Sequence, residues 1–196
     1  MKFYLAVPVI AFALAGCIEK EAGDDGFAKA VSAVSEVKIN AESPDMAVKS
    51  WWRLRDAEIA LDNELCQYGL KRAKNYSQKV SELSTEEIFT GPRCPKSVMT
   101  FDRKITNVEV QSDTRAVVTA QITNTTAPED GASLDYDDRK AKEQGDPFRY
   151  VLEREGKEGK WKISQVLNMP SYARKWEEVF KQPAPLNNRW VYENYQ

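Results

Sequence analysis

Residues 43–65 read SPDMAVKSWWRLRDAEIALDNEL, and this stretch decides the architecture. Ser43 stands at an N-cap position, Pro44 follows at the first helical position, and Asp45 puts a negative charge in the first turn. Each belongs there for its own reason: a side-chain oxygen for free N–H groups, a pre-set φ, and a charge opposed to the positive helix end. Val48, Trp51, Trp52, Arg55 and Ile59 recur at helical spacing, so one face is apolar except where Arg55 interrupts it. The pattern predicts a helix from Pro44 to about Cys66, with Gly69 breaking it.

Downstream, LKRAKNYSQKVSEL (70–83) reads as a second, more polar helix and STEEIF (84–89) as a short third one, before GPRCP (91–95) turns the chain. From Phe101 the period changes to two. ITNVEVQS (105–112) puts Val108 and Val110 on one face. RAVVTAQITNTT (115–126) lines Ala116, Val118, Ala120 and Ile122 on one face. PFRYVLERE (147–155) does the same with Phe148, Tyr150 and Leu152, and GKEGK (156–160) turns into WKISQVL (161–167), with Trp161 and Ile163 on a common face. SYARKWEEVFK (171–181) reads as a last short amphipathic helix, and the tail QPAPLNNRWVYENYQ (182–196) is interrupted by proline but aromatic. Helices followed by a four-stranded antiparallel meander predict an α+β domain, its helices packed on one face of the sheet.

Upstream, Lys2 is followed by an uncharged run, Phe3 to Ala15, too short to cross a bilayer, which needs about 20 residues. A charged start, a short apolar core and small residues before a cut describe a secretory signal. Leu14-Ala15-Gly16-Cys17 resembles the lipobox of bacterial lipoproteins. The resemblance implies cleavage before Cys17, a diacylglyceryl group on its sulfur and an acylated amine. Such chains exceed the two-signal requirement for stable anchoring. Ile18 stands where Asp would favour the inner membrane, so the implied address is the outer membrane, periplasmic face. Residues 1–16 are then the signal and 17–42 a tether, with one weakly periodic helical stretch from Phe27 to Val37.

Signal removal takes Lys2 with it, leaving 27 basic and 30 acidic side chains, a net charge near −3. Nothing in that balance attracts nucleic acid. The chain has no histidine, which excludes Ser-His-Asp and Cys-His catalysis and His-ligated metals. No metal or cofactor site is expected: DYDDRKAKEQGD (135–146) has Arg139 and Lys140 where a calcium loop needs an oxygen ligand and glycine. With Cys17 lipidated, Cys66 and Cys94 read as one disulfide in an oxidising compartment, or else as two buried thiols.

SPDMAVKSWW, with later paired strands ending in GKWKIS, resembles the nuclear transport factor 2-like superfamily, in particular its small bacterial lipoproteins. The likeness covers roughly residues 43–168 and places the domain at 43–181. It implies a cone: an N-terminal helix closing a curved sheet, with a pocket at the open end. The long segments 62–95 and 127–146 depart from the family pattern. Trp51, Trp52, Arg55 and Tyr150 are the pocket candidates, as aromatic walls with a few polar groups suit small-molecule sites. Ketosteroid isomerase and polyketide cyclases share this fold, and Asp56, Glu109 and Tyr150 carry chemistry of their kind. No motif joins those three, and no catalytic residue is assigned. The expectation is a non-enzymatic, lipid-anchored binding or interaction module in the periplasm, its partner an envelope protein or a small apolar ligand. Its alternatives are a carrier of a small hydrophobic ligand, an isomerase-like enzyme, or an immunity protein against a periplasmic toxin.

Overall fold

The computed structural model describes residues 24–68, 74–86, 88, 98–128, 131–170 and 173–181. Helix α1 (Asp24–Glu36) leads into α2 (Pro44–Tyr68) and α3 (Lys74–Leu83). The strands β1 (Phe101–Ser112), β2 (Arg115–Asn124), β3 (Asp146–Glu153), β4 (Lys162–Asn168) and the two-residue β5 (Glu177–Glu178) form one antiparallel sheet in sequence order. Helix α4 (Tyr136–Gln144) lies between β2 and β3. The α+β class and the meander follow the sequence pattern, with a fifth strand added.

Helix α2 starts at Pro44 as expected, though the bond made by the Ser43 hydroxyl is to the Asp45 carboxylate and not to a helix N–H. The Ser43 carbonyl accepts from Ala47 N–H at 3.0 Å, while the Ser43 hydroxyl donates to Asp45 at 2.6 Å. That bond and Lys49, at 2.9 Å, hold the Asp45 carboxyl below its usual range. Helix α2 lies across one face of the sheet, against β1, β2 and β4. Its Trp51 and Trp52 and the strand residues Ala116, Val118, Ala120, Tyr150, Leu152 and Ile163 form the core between them. Register slips in β1, between Ile105 and Asn107 and between Val110 and Ser112, and one that leaves Ser164 of β4 unmatched between Val151 and Leu152 of β3, add local twist to the sheet.

Helix α1 packs against α2 and α3. Ala30 and Val34 of α1 are buried, so the packed body begins inside the segment expected to be a tether. Phe27, Val31 and Val37 supply the rest of that apolar stripe. Ser50, fully buried, clamps the connection by donating to Asn40 O at 3.0 Å and accepting from Asn40 N–H at 2.9 Å.

Two expected helices are corrected. Of the expected helix 171–181, the described residues 173–181 do not form one: Glu177 and Glu178 pair with Asn168 and Leu167, and Val179 N–H donates to Val166 O at 2.9 Å. Extended pairing satisfies backbone groups along the open edge of β4 and still turns Val179 and Phe180 onto the core. In 84–89 the described residues 84–86 and 88 form no helix: Ser84 bridges Ile163, Thr85 N–H donates to Ile163 O at 2.9 Å, and the chain then turns, with Ile88 N–H on Thr85 O at 3.3 Å. Val108 and Val110 share a face as expected but are exposed, because β1 runs on past the helix that covers the sheet.

The long connection after β2 is an exposed helix. Asp135 caps α4 by accepting from Asp138 N–H at 2.8 Å, and Gly145 ends it at φ 64°. Among the described residues no helix is long and apolar enough to cross a membrane.

Candidate functional site

Between α2 and the covered face of the sheet lies a cavity of about 260 Å³. Trp51, Trp52, Arg55 and Tyr150, the four residues singled out in the sequence, all line it. Both members of the Trp pair reach it, although adjacent helical residues point about 100° apart. Their rings fill the angle between helix and sheet, Trp51 1 % exposed and Trp52 9 %.

Trp52 Nε1–H donates to the Tyr150 hydroxyl at 2.8 Å across the helix–sheet interface, and the two rings meet edge to face. Burial pushes the Tyr150 phenol up to about 12, partly offset by the Trp52 hydrogen bond and the Arg103 charge. At neutral pH the phenol keeps its proton, so its remaining capacity in the cavity is that of a donor.

Arg55 crosses the apolar face as expected, and its environment explains how it is tolerated. Its guanidinium pairs with Glu58 one turn on, donates to the Tyr76 hydroxyl at 3.1 Å, and lies 5.8 Å from the Trp51 ring and 5.1 Å from the Phe180 ring. A buried cation needs such an ion pair and hydrogen bond together. Arg103 on β1 makes a forked pair with Asp56, at 2.6 and 2.7 Å, and lies 5.9 Å from the Trp52 ring. The fork ties β1 to α2 at the cavity wall.

The proton-transfer trio does not assemble. Asp56 is held by Arg103 and its side chain is half exposed. Glu109 lies on the exposed end of β1, accepting from Gln111 at 3.1 Å, so Tyr150 alone of the three faces the cavity. The sequence reading missed two carboxylates that do face it, Glu58 and Asp62, 1 % and 4 % exposed. Their spacing from Arg55, three and seven residues, was the available signal for a shared helix face. It also missed Phe101, Phe148 and Phe180, which close the aromatic wall. Phe180 meets Trp51 edge to face at 5.7 Å.

Compared with family models, curated proteins and solved structures, the chain matches none. Among the described residues no three His, Cys, Asp or Glu side chains are grouped to hold a metal ion. A broader groove of about 1000 Å³ runs beside Ser84, Arg115, Arg154 and Lys162, but it is open and walled by charges of both signs. Cys66 is disulfide-bonded. Cys17, Cys94 and the tail 182–196 lie outside the described residues.

Proposed function

We propose that this chain is a lipid-anchored periplasmic lipoprotein with a nuclear transport factor 2-like cone that binds a small, flat, largely apolar molecule. The cavity between Trp51, Trp52, Phe148, Tyr150 and Phe180 carries this reading. Its volume falls just below the roughly 300–1,000 Å³ of drug-sized sites, so the ligand is small. Arg55 pairs with Glu58 and Arg103 with Asp56, so recognition in this reading rests on the aromatic faces and the Tyr150 hydroxyl, with Asp62 as the further polar group on the wall. A neutral ring system with one hydrogen-bond acceptor fits that chemistry. The lipobox carries the address, the outer membrane facing the periplasm, and Cys66 with Cys94 is the proposed disulfide.

The test uses a neutral fluorescent probe, N-phenyl-1-naphthylamine, titrated against the protein. Binding is expected for the native chain and lost in Val179→Trp, which fills the cavity from its strand side. Equal binding by both would sink the reading. Cys17→Ser should release the protein from membranes; a variant that still sediments with them contradicts the anchor.

One observation favours a second reading, an acid–base enzyme acting on the bound molecule: Glu58 and Asp62 share the cavity with Tyr150. Deuterium exchange into a bound ketone, abolished by Glu58→Gln or Asp62→Asn, would select it over simple binding.

A further inference from the structure

Strand β1 borders the sheet, and among the described residues nothing pairs with its outer side. It is long for a border strand, 12 residues, and everything from Thr106 to Ser112 is exposed. A row of free backbone donors and acceptors is a template for another strand. Val108 and Val110 add apolar surface, 41 % and 59 % exposed, although Val118 and Ala116 opposite them are fully buried.

We infer that this border pairs antiparallel with the same strand of a second copy, about a two-fold axis between Thr106 and Asn107. The register slip makes the match possible. Ile105 stands opposite Ala120 and Val108 opposite Val118, so both face the helix side although three residues separate them. In an unslipped strand, with its period of two, they would face opposite ways. A two-fold axis normal to the sheet must set like face against like face. With the slip at its centre, Ile105 meets Val108 of the partner subunit on the helix side, and Arg103 meets Val110 of the partner subunit. On the outer side Lys104 meets Glu109 of the partner subunit, an opposite-charge pair that symmetry makes twice. This complementarity of Lys104 with Glu109, together with the matched apolar pairs, makes a second copy the occupant rather than a strand of another protein.

Charged residues on a border strand can also deter pairing, and the experiment separates the two roles. Sedimentation of the full-length chain in mild detergent should show a reversible dimer at about 200 μM or below. Lys104→Glu or Glu109→Lys places like charges together twice and should weaken association about tenfold. The double exchange, Lys104→Glu with Glu109→Lys, should restore it. Oxidised Lys104→Cys/Glu109→Cys should run at twice the monomer mass without reductant, whereas Lys104→Cys/Gln111→Cys, off register, should not. A native chain that stays monomeric overturns the inference. So does a double exchange no better than either single variant, because only a direct pair across the axis is rescued by reversal.

Discussion

The bond between Trp52 and Tyr150 joins helix to sheet at the cavity, and Tyr150→Phe isolates it. The substitution keeps the ring, hence the edge-to-face contact at 6.0 Å, and removes only the hydroxyl that accepts from Trp52 at 2.8 Å. The Trp52 N–H is then buried without an acceptor, which costs about 1–3 kcal/mol. For a chain of this size that is about 2–4 °C in Tm per kcal/mol. A second signature comes from pH. Burial pushes the folded phenol up to about 12 from its ordinary 10.0, so folding favours the protonated form. A raised pKa gives stability that is complete below the unfolded value and is lost as pH climbs through the folded one. Two units correspond to about 2.7 kcal/mol, half of it gone by about pH 11. The phenylalanine variant has no such proton to lose. Urea unfolding of both proteins from neutral pH to about pH 11 should therefore show a gap that narrows by about 1.4 kcal/mol. A gap that stays constant over that range would refute the reasoning, because it would mean Tyr150 is not a desolvated phenol.

Other substitutions test the frame around the cavity. Gly145→Ala should cost about 1–3 kcal/mol in urea unfolding, since a Cβ there would lie 2.3 Å from Ile122 O at a positive φ. Phe180→Ala removes an aromatic wall and the Arg55 contact; it should weaken probe binding several-fold and lower stability by about 1–2 kcal/mol. Cys66→Ser should cost about 3–4 kcal/mol by thermal unfolding, and the Cys66→Ser/Cys94→Ser double variant no more, if the two are partners. Truncation after Gln182 should leave Tm nearly unchanged if the aromatic tail docks on another protein, whereas a large drop would place it on the domain.

Much of the site was legible in sequence because helical and strand periods report faces directly. Trp51, Trp52 and Arg55 fell on one side of a well-capped helix and Tyr150 on the inner side of a strand; packing that helix on that sheet brings them together. Glu58 and Asp62 were passed over because acidic residues in a charge-rich helix are usually solvated, and only their burial marks them as cavity residues. Residues 173–181 differ from their pattern for a related reason. Over a few residues an amphipathic pattern fits a helix as well as a strand, and the choice fell to a distant partner, the unpaired edge of β4.

By itself, then, the sequence determined the α+β order, the start of α2, four of the strands and the aromatic character of the cavity. Capping, φ preference and side-chain period act within a few residues, and so they can be read locally. The tertiary structure decided that α1 belongs to the core, that the last segment is a strand, and that Arg55 is held between Glu58, Tyr76 and two rings. Those outcomes depend on which buried surfaces and backbone groups meet across the chain. Local pattern carries no record of that meeting.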